Sequence, residues 1–341
     1  MSADRVTHRP GMTVGAFDGP SPVGRIPVPI RRAAKATIRL GTMATAPWRA
    51  GPDFLVIGSK RGGTTTLYHA LTRHPQVAAL VPRVQRIKSP QYFALHHDRG
   101  QAWYRSHFPI RRPGMISGEA DPYLLYHPLA PRRVAQEAPE ARLVAMLRDP
   151  VERAFSHHWD RVKNGVEQLP FLEALDAEPE RLAGEVEALL DDPEHPRAAH
   201  EHYSYLDRGR YDTQLARWLA AVPARRLLVL RSEDFYARPG EVFTDVCRFL
   251  GIRPWIPDEF GRHHAHADRP KVAPEVRERL WPLFAESTDR LADLLGTDPW
   301  WAADGPTPTP GSHLLLGDGT ALDGTGPQDT APEGAAGVCA R

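Results

Sequence analysis

The stretch DFLVIGSKRGGTTTLYHALTRHP (residues 53–75) decides the architecture. Its first six residues are a short, continuous apolar run, as expected of a strand buried on both faces in a parallel sheet. The run enters a glycine-rich turn, Gly58-Ser59-Lys60-Arg61-Gly62-Gly63-Thr64-Thr65, and then a helical pattern that Pro75 ends. A strand, a glycine turn and a helix N-terminus in succession make an anion site, because backbone N–H groups and the helix dipole converge there. The spacing G-x-x-x-x-G is that of a P-loop, yet a nucleoside triphosphatase carries lysine directly after the second glycine. Thr64 stands at that position, and the cations Lys60 and Arg61 lie inside the loop instead. A P-loop kinase is therefore the disfavoured alternative.

Outward from this turn, strand-like and helix-like segments alternate. RLVAMLRDP (residues 142–150) and RRLLVLRSEDF (residues 225–235) read as buried strands, and MISGEADP (residues 115–122) as a shorter one. Asp149 is a good N-cap with Pro150 at N1, and Gly165 lies where a C′ glycine belongs. Further helices are expected over residues 240–250, after Pro239, and over about 274–295, ending at Gly296. Strands alternating with helices predict a three-layer α/β, P-loop-like domain over residues 51–303, with a central, mainly parallel sheet flanked by helices.

Of the 341 residues, 41% are hydrophobic and 25% charged, ordinary for a globular chain. With 43 Lys and Arg against 42 Asp and Glu, bulk charge offers no case for nucleic acid as a partner. Cys247 and Cys339 are the only cysteines, which excludes a disulfide framework and a cysteine-based zinc module. The charge is uneven, however: residues 1–50 hold eight Arg and Lys against Asp4 and Asp18. That basic leader is expected to be largely disordered, as is the Gly/Pro/Thr-rich tail over residues 304–341. The stretch RRAAKATIRLGTM (residues 31–43) fits either a solvated leader or a short basic helix making weak contact with a membrane surface. No apolar run is long enough to span a bilayer, and the N-terminus lacks a signal-peptide pattern, so the expected compartment is the cytoplasm.

IGSKRGGTTTLYHALTRHPQV (residues 57–77) resembles the 5′-phosphosulfate loop of sulfotransferases that use 3′-phosphoadenosine 5′-phosphosulfate (PAPS), in the heparan-sulfate-type branch and its bacterial relatives. RLVAMLRDPVERAFSHHWDRV (residues 142–162) resembles that family's 3′-phosphate segment. By this resemblance Lys60, Arg61, Gly62, Gly63, Thr64, Thr65 and Thr66 hold the phosphosulfate, and Arg148 and Ser156 the ribose 3′-phosphate. The position of Arg148, leaving the C-terminal end of a parallel strand, suits that role on physical grounds too. YLDRGRYDTQLARWLAAVPARRLLVLRSEDF (residues 205–235) resembles the family's G-x-Y segment, which would bring Arg208, Gly209 and Tyr211 near the cofactor or acceptor. In DRPKVAPEVRERL (residues 268–280), Arg269 and Lys271 would approach a phosphate. Arg153 is expected in a helix-surface ion pair with Asp149 or Asp160, and His157 and His158 at the same helix surface.

Two departures touch the chemistry. The family's loop lysine aligns with Arg61, which the high pKa of guanidinium makes an electrostatic clamp rather than a proton donor, with Lys60 sharing the role. The family's catalytic glutamate, in K-E-x-[HQ]-[FY]-F, is replaced: the segment reads Lys88-Ser89-Pro90-Gln91-Tyr92-Phe93. A serine cannot accept a proton near neutral pH without another base beside it. Glu119 is the first candidate for that base, and His96 or His97 the second. No metal is expected, since His263, His264, His266 and Asp268, and likewise His195, His200 and His202, lack metal-ligand spacing. The resemblance implies sulfuryl transfer from PAPS to a hydroxyl or amine of a carbohydrate or other small-molecule acceptor. A catalytically weak nucleotide-binding protein of the same fold is the alternative that Ser89 keeps open.

Overall fold

The structure, a computed structural model, describes residues 39, 41–82, 87–261, 271–297, 299, 301 and 314–315. Arg269, the histidines at 263, 264 and 266, Asp268, most of the basic stretch 31–43 and most of the tail lie outside the described residues. The sheet follows the order β2-β3-β1-β4-β5-β6. Its strands are β1 (Phe54–Gly58), β2 (Val77–Ala78), β3 (Ile116–Ala120), β4 (Arg142–Leu147), β5 (Leu227–Arg231) and β6 (Leu314–Leu315). The first five are parallel, and β6 pairs antiparallel with β5. From β1 the chain extends the sheet first on one side and then on the other, so β1 sits where α/β sheets reverse direction and bind ligands.

Alternate residues of each strand feed two cores. Leu55, Ile57, Leu143, Ala145, Leu227 and Val229 pack on one face with Leu215, Trp218 and Leu291. Phe54, Val56, Val144, Met146, Leu228 and Leu230 pack on the other with Leu67, Leu71, Phe243 and Val246. Because both faces are covered, the strands read as continuous apolar runs, and the expected three layers follow.

Several boundaries differ from expectation for local reasons. The long C-terminal helix is two, Pro274–Leu280 and Pro282–Leu295, because Pro282 cannot continue the first. The strand expected over 225–235 stops at Arg231, and a helix, Ser232–Ala237, takes over. β2 has two residues and gave no periodicity to read. In the stretch expected to be a leader, Ala50 is buried and Arg49 pairs with Ile110, so the described fold starts ahead of residue 51. Leu314 and Leu315 pair with Val229 and Leu228 inside the stretch expected to be a disordered tail. Among the described residues no helix is long and apolar enough to cross a membrane.

Candidate active site

The turn after β1 is fixed by its neighbours. Ser59 donates through N and Oγ to the Met146 carbonyl of β4, at 2.7 and 2.9 Å, and Gly62 N closes the turn on Ser59 O at 2.9 Å. Ser232 Oγ donates to Gly62 O at 2.6 Å. A Cβ on Gly62 would lie 2.5 Å from Met146 O and 2.7 Å from Ser59 Oγ. Gly63 has φ +98°, and a Cβ there would lie 2.8 Å from Tyr236 Oη. The two glycines are therefore required by close approach and by backbone hand, respectively. They deliver the chain into α1 (Thr64–Arg73), whose first N–H groups have no intrahelical acceptor. Thr64 and Thr66 are buried, and Thr66 Oγ1 has no hydrogen-bond partner.

Cations surround this cradle. Arg61 adopts a left-handed backbone, φ 74°, and its side chain crosses to α2 (Pro150–Lys163). There Nε donates to Ser156 Oγ at 3.1 Å and Nη1 pairs with Asp160 Oδ1 at 3.1 Å. The two segments expected to hold opposite ends of one nucleotide are thus joined by a single side chain. Arg148 donates through Nη1 to Arg61 O and through Nη2 to Glu152 Oε2, both at 3.3 Å. Lys60 turns the other way, its Nζ donating to Glu201 O at 3.3 Å in α3 (Ala198–His202). Burial, with Arg208 and Arg161 nearby, pushes the Lys60 ammonium well below its ordinary range. Burial opposes ionisation of Asp160, but Arg61 and Arg161 outweigh it and hold that carboxyl below its usual value.

Lys88 is the cation that sequence reading missed. Its Nζ donates to Thr65 Oγ1 at 3.2 Å, so it reaches the cradle from a different segment, and burial lowers its pKa. Its signal in the sequence is the lysine that stands directly before Ser89. Asp160 and Glu152, which hold Arg61 and Arg148, were likewise not singled out for that purpose.

Other expected residues take structural posts. Tyr211 is buried and its hydroxyl donates to Arg148 O at 2.9 Å, fixing the end of β4. Arg208 is buried 4.5 Å from the Tyr126 ring centroid and donates to His200 O and Glu201 O, both at 3.1 Å. Gly209 packs against Phe284, where a Cβ would lie 2.7 Å from its ring. Lys271 is exposed. Arg153 is not in a surface ion pair: it is buried and donates to Tyr205 O. His157 and His158 are buried rather than at the helix surface, His157 against the Tyr205 ring, because their face of α2 turns inward.

The candidate bases separate clearly. Glu119 is buried in β3, and Tyr104 Oη donates to its Oε1 at 3.0 Å. Burial and the neighbouring Asp121 charge push its carboxyl up to about 8, against the opposing pull of the Tyr104 and Ser89 hydroxyls. Ser89 at the replaced position therefore has a carboxyl directly behind it. His97 is paired with Glu137, and burial lowers the His96 pKa. Among the described residues no group of His, Cys, Asp and Glu has the arrangement of a metal site.

Residues 51–268 match the family described as Sulfotransferase domain. The human heparan sulfate glucosamine 3-O-sulfotransferase 3B1 is 30% identical over 208 residues, which cover 61% of this chain and 48% of that protein. The human bifunctional heparan sulfate N-deacetylase/N-sulfotransferase 3 is 29% identical over 211 residues, covering 60% and 22%. The chain thus spans about half or less of the length of these curated relatives. A crystal structure of a sulfotransferase from Alicyclobacillus acidocaldarius aligns with TM-score 0.59 at 26% identity, covering 73% of this chain and 98% of that one. A glycine cradle ringed by cations, in the strand order described, agrees with that match over most of the domain: the chain belongs to the sulfotransferase family.

Proposed function

We propose that the protein moves a sulfuryl group from PAPS to a hydroxyl or amine of a carbohydrate or glycoconjugate acceptor. The observation that carries this reading is the junction of Arg61 with Ser156, which sets the glycine turn beside the segment expected to hold the 3′-phosphate. A donor with anions at both ends of a nucleoside needs such a pair of sites. The cradle suits its 5′ end: Gly62 and Gly63 let the turn close tightly against Met146 and Tyr236 ahead of the helix N-terminus, and Thr66 Oγ1 lacks a partner. Gly62, Gly63, Thr64, Thr65 and Thr66 would hold the phosphosulfate, while Lys60, Arg61 and Lys88 supply positive charge. Arg148 and Ser156 would hold the 3′-phosphate, and Tyr211 keeps Arg148 in place.

PAPS supplies the sulfuryl group as donor substrate, and the protein's contribution is to position it and stabilise charge. Arg61 and Lys88 would supply the positive charge that stabilises the oxygen released as the S–O bond breaks. The acceptor's proton would go to a carboxylate near the end of β3, where Glu119 and Asp121 lie two residues apart. The carbohydrate assignment rests on the names of the heparan sulfate relatives.

The test is a screen of carbohydrate acceptors with 35S-labelled PAPS, run beside binding of 3′-phosphoadenosine 5′-phosphate (PAP) and AMP. Label transfer together with a strong preference for PAP is expected. Equal affinities for PAP and AMP would sink the two-site arrangement, and tight PAP binding without transfer to any acceptor would favour the binding-protein alternative.

A further inference from the structure

Two carboxylates lie two residues apart where β3 ends, Glu119 inside the strand and Asp121 just beyond it. Their surroundings differ. Glu119 lies within the strand, in register with Leu55 of β1, and is wholly enclosed behind Ser89 and Tyr104. Asp121 lies one residue past the strand, at the C-terminal edge where the cradle sits. Its N–H donates to Val56 O at 3.0 Å, while Ala120 N donates to Lys88 O at 2.8 Å. The β3 end is thereby stitched between the strand that feeds the glycine turn and the segment whose lysine touches Thr65.

Asp121 has one oxygen in use and one idle. Oδ1 accepts from Tyr123 N at 3.0 Å, whereas Oδ2 is buried with no hydrogen-bond partner; Glu119 Oε2 is unpaired too, but within the strand rather than at the edge where the cradle sits. A buried, unpaired carboxylate oxygen is costly and calls for a partner that arrives later. Lys88 and Lys60 face this carboxylate, with Glu201 opposing them and Glu119, Tyr104 and Tyr123 as the other titratable neighbours.

Resting on the sulfotransferase reading, we propose that Asp121, rather than Glu119, is the general base that takes the proton from the acceptor hydroxyl, with Glu119 as a positioning residue behind it. The acceptor O–H proton passes to Asp121 Oδ2. The acceptor oxygen forms the new bond to sulfur, and the bond from sulfur to the 5′-phosphate oxygen breaks. That oxygen keeps the electron pair and leaves in PAP. Burial raises the Asp121 carboxyl to about 6, with Tyr123 N, Lys88 and Lys60 pulling it down. Glu119, at about 8, keeps its proton at neutral pH. Two neighbouring carboxyls pushed apart in this way are an acid-base assignment: the lower one is ionised and able to accept.

The experiment measures 35S transfer to a hydroxyl acceptor and PAP affinity for the parent, Asp121→Asn, Asp121→Ala and Glu119→Gln. Asp121→Asn keeps the acceptor for Tyr123 N, so the fold should hold. Its turnover should fall by at least ~10²-fold with PAP affinity nearly unchanged. Parent turnover should fall as pH drops through about 6, and Asp121→Asn should lack that limb. Formate should restore part of the activity of Asp121→Ala, which a structural role would not allow. Glu119→Gln should lose less than about tenfold and keep the acid limb. Near-parental turnover in Asp121→Asn, or a limb lost only in Glu119→Gln, would overturn the assignment while leaving the sulfotransferase reading intact. Absence of transfer by the parent itself would overturn that reading, and the assignment with it.

Discussion

The two ends of the proposed donor site are built from different materials. At the glycine turn the anion donors are backbone groups, fixed by Ser59 on Met146 and by Ser232 on Gly62. Along α2 they are side chains, and the two arginines are already held by acids: Arg61 by Asp160 towards the end of the helix, Arg148 by Glu152 in its first turn. The first site is preorganised, so an anion there gains from groups that give up little. The second works by exchange, and a phosphate gains only the difference between itself and the carboxylate it displaces. One consequence is that geometry should dominate perturbations of the turn, while charge should dominate those of α2.

Arg61 belongs to both sites, and replacing it should have the largest effect. If its guanidinium acts on charge that appears only as the S–O bond breaks, Arg61→Ala should lower turnover by on the order of 10²–10³-fold. PAP affinity should change much less, since Arg61 must leave Asp160 to serve a ligand. A loss in PAP affinity matching the loss in turnover would make Arg61 a simple anchor and pass the clamp role to Lys60 and Lys88.

Geometry at the turn comes next. Gly62→Val would force a side chain against Met146 O and Ser59 Oγ. Overpacking of this kind costs roughly 1–3 kcal/mol, so PAP affinity should fall by up to about 10²-fold. Calorimetry of PAP binding beside thermal unfolding checks this, and unaltered binding would show that the turn does not hold the nucleotide. Arg148→Ala follows, with a loss toward the lower end of the roughly 1.5–3 kcal/mol of a charge-assisted contact, because Glu152 already satisfies part of the guanidinium. The loss should fall on PAP and spare AMP, and an equal loss for both would remove Arg148 from the 3′-phosphate.

The sequence was informative about the preorganised site and poor about the exchanging one, for a physical reason. A backbone cradle needs glycines at fixed places in a strand–turn–helix, and Gly62 and Gly63 announce it. The sheet was legible on the same principle, since doubly covered strands such as β1 and β4 must be continuously apolar. Pairings between distant segments leave no such trace. Nothing adjacent to Arg61 points to Asp160, nothing adjacent to Lys88 points to Thr65, and the inward turn of His157 depends on helices that pack against α2 only once the chain has folded. Glu119 was legible as a candidate base, but enclosure decides its protonation, and enclosure is a tertiary property.

The smallest effect probes the exchange itself. Glu152 pairs with Arg148 at 3.3 Å with both side chains about a quarter exposed, and it stands in the first turn of α2, where negative charge is favoured. A partly exposed pair of this kind contributes roughly 0.2–1 kcal/mol. Glu152→Gln weakens the internal competitor for Arg148 without removing any group that would touch a phosphate. PAP should therefore bind up to about fivefold more tightly, while the melting temperature falls slightly through loss of the helix-dipole contact. The gain should shrink with added salt, because the competing pair is partly screened already. Titration of PAP into parent and variant at two ionic strengths reads both trends. Weaker binding in Glu152→Gln would mean that Glu152 orients Arg148 for the phosphate rather than competing with it, and the head of α2 would then be as preorganised as the glycine turn.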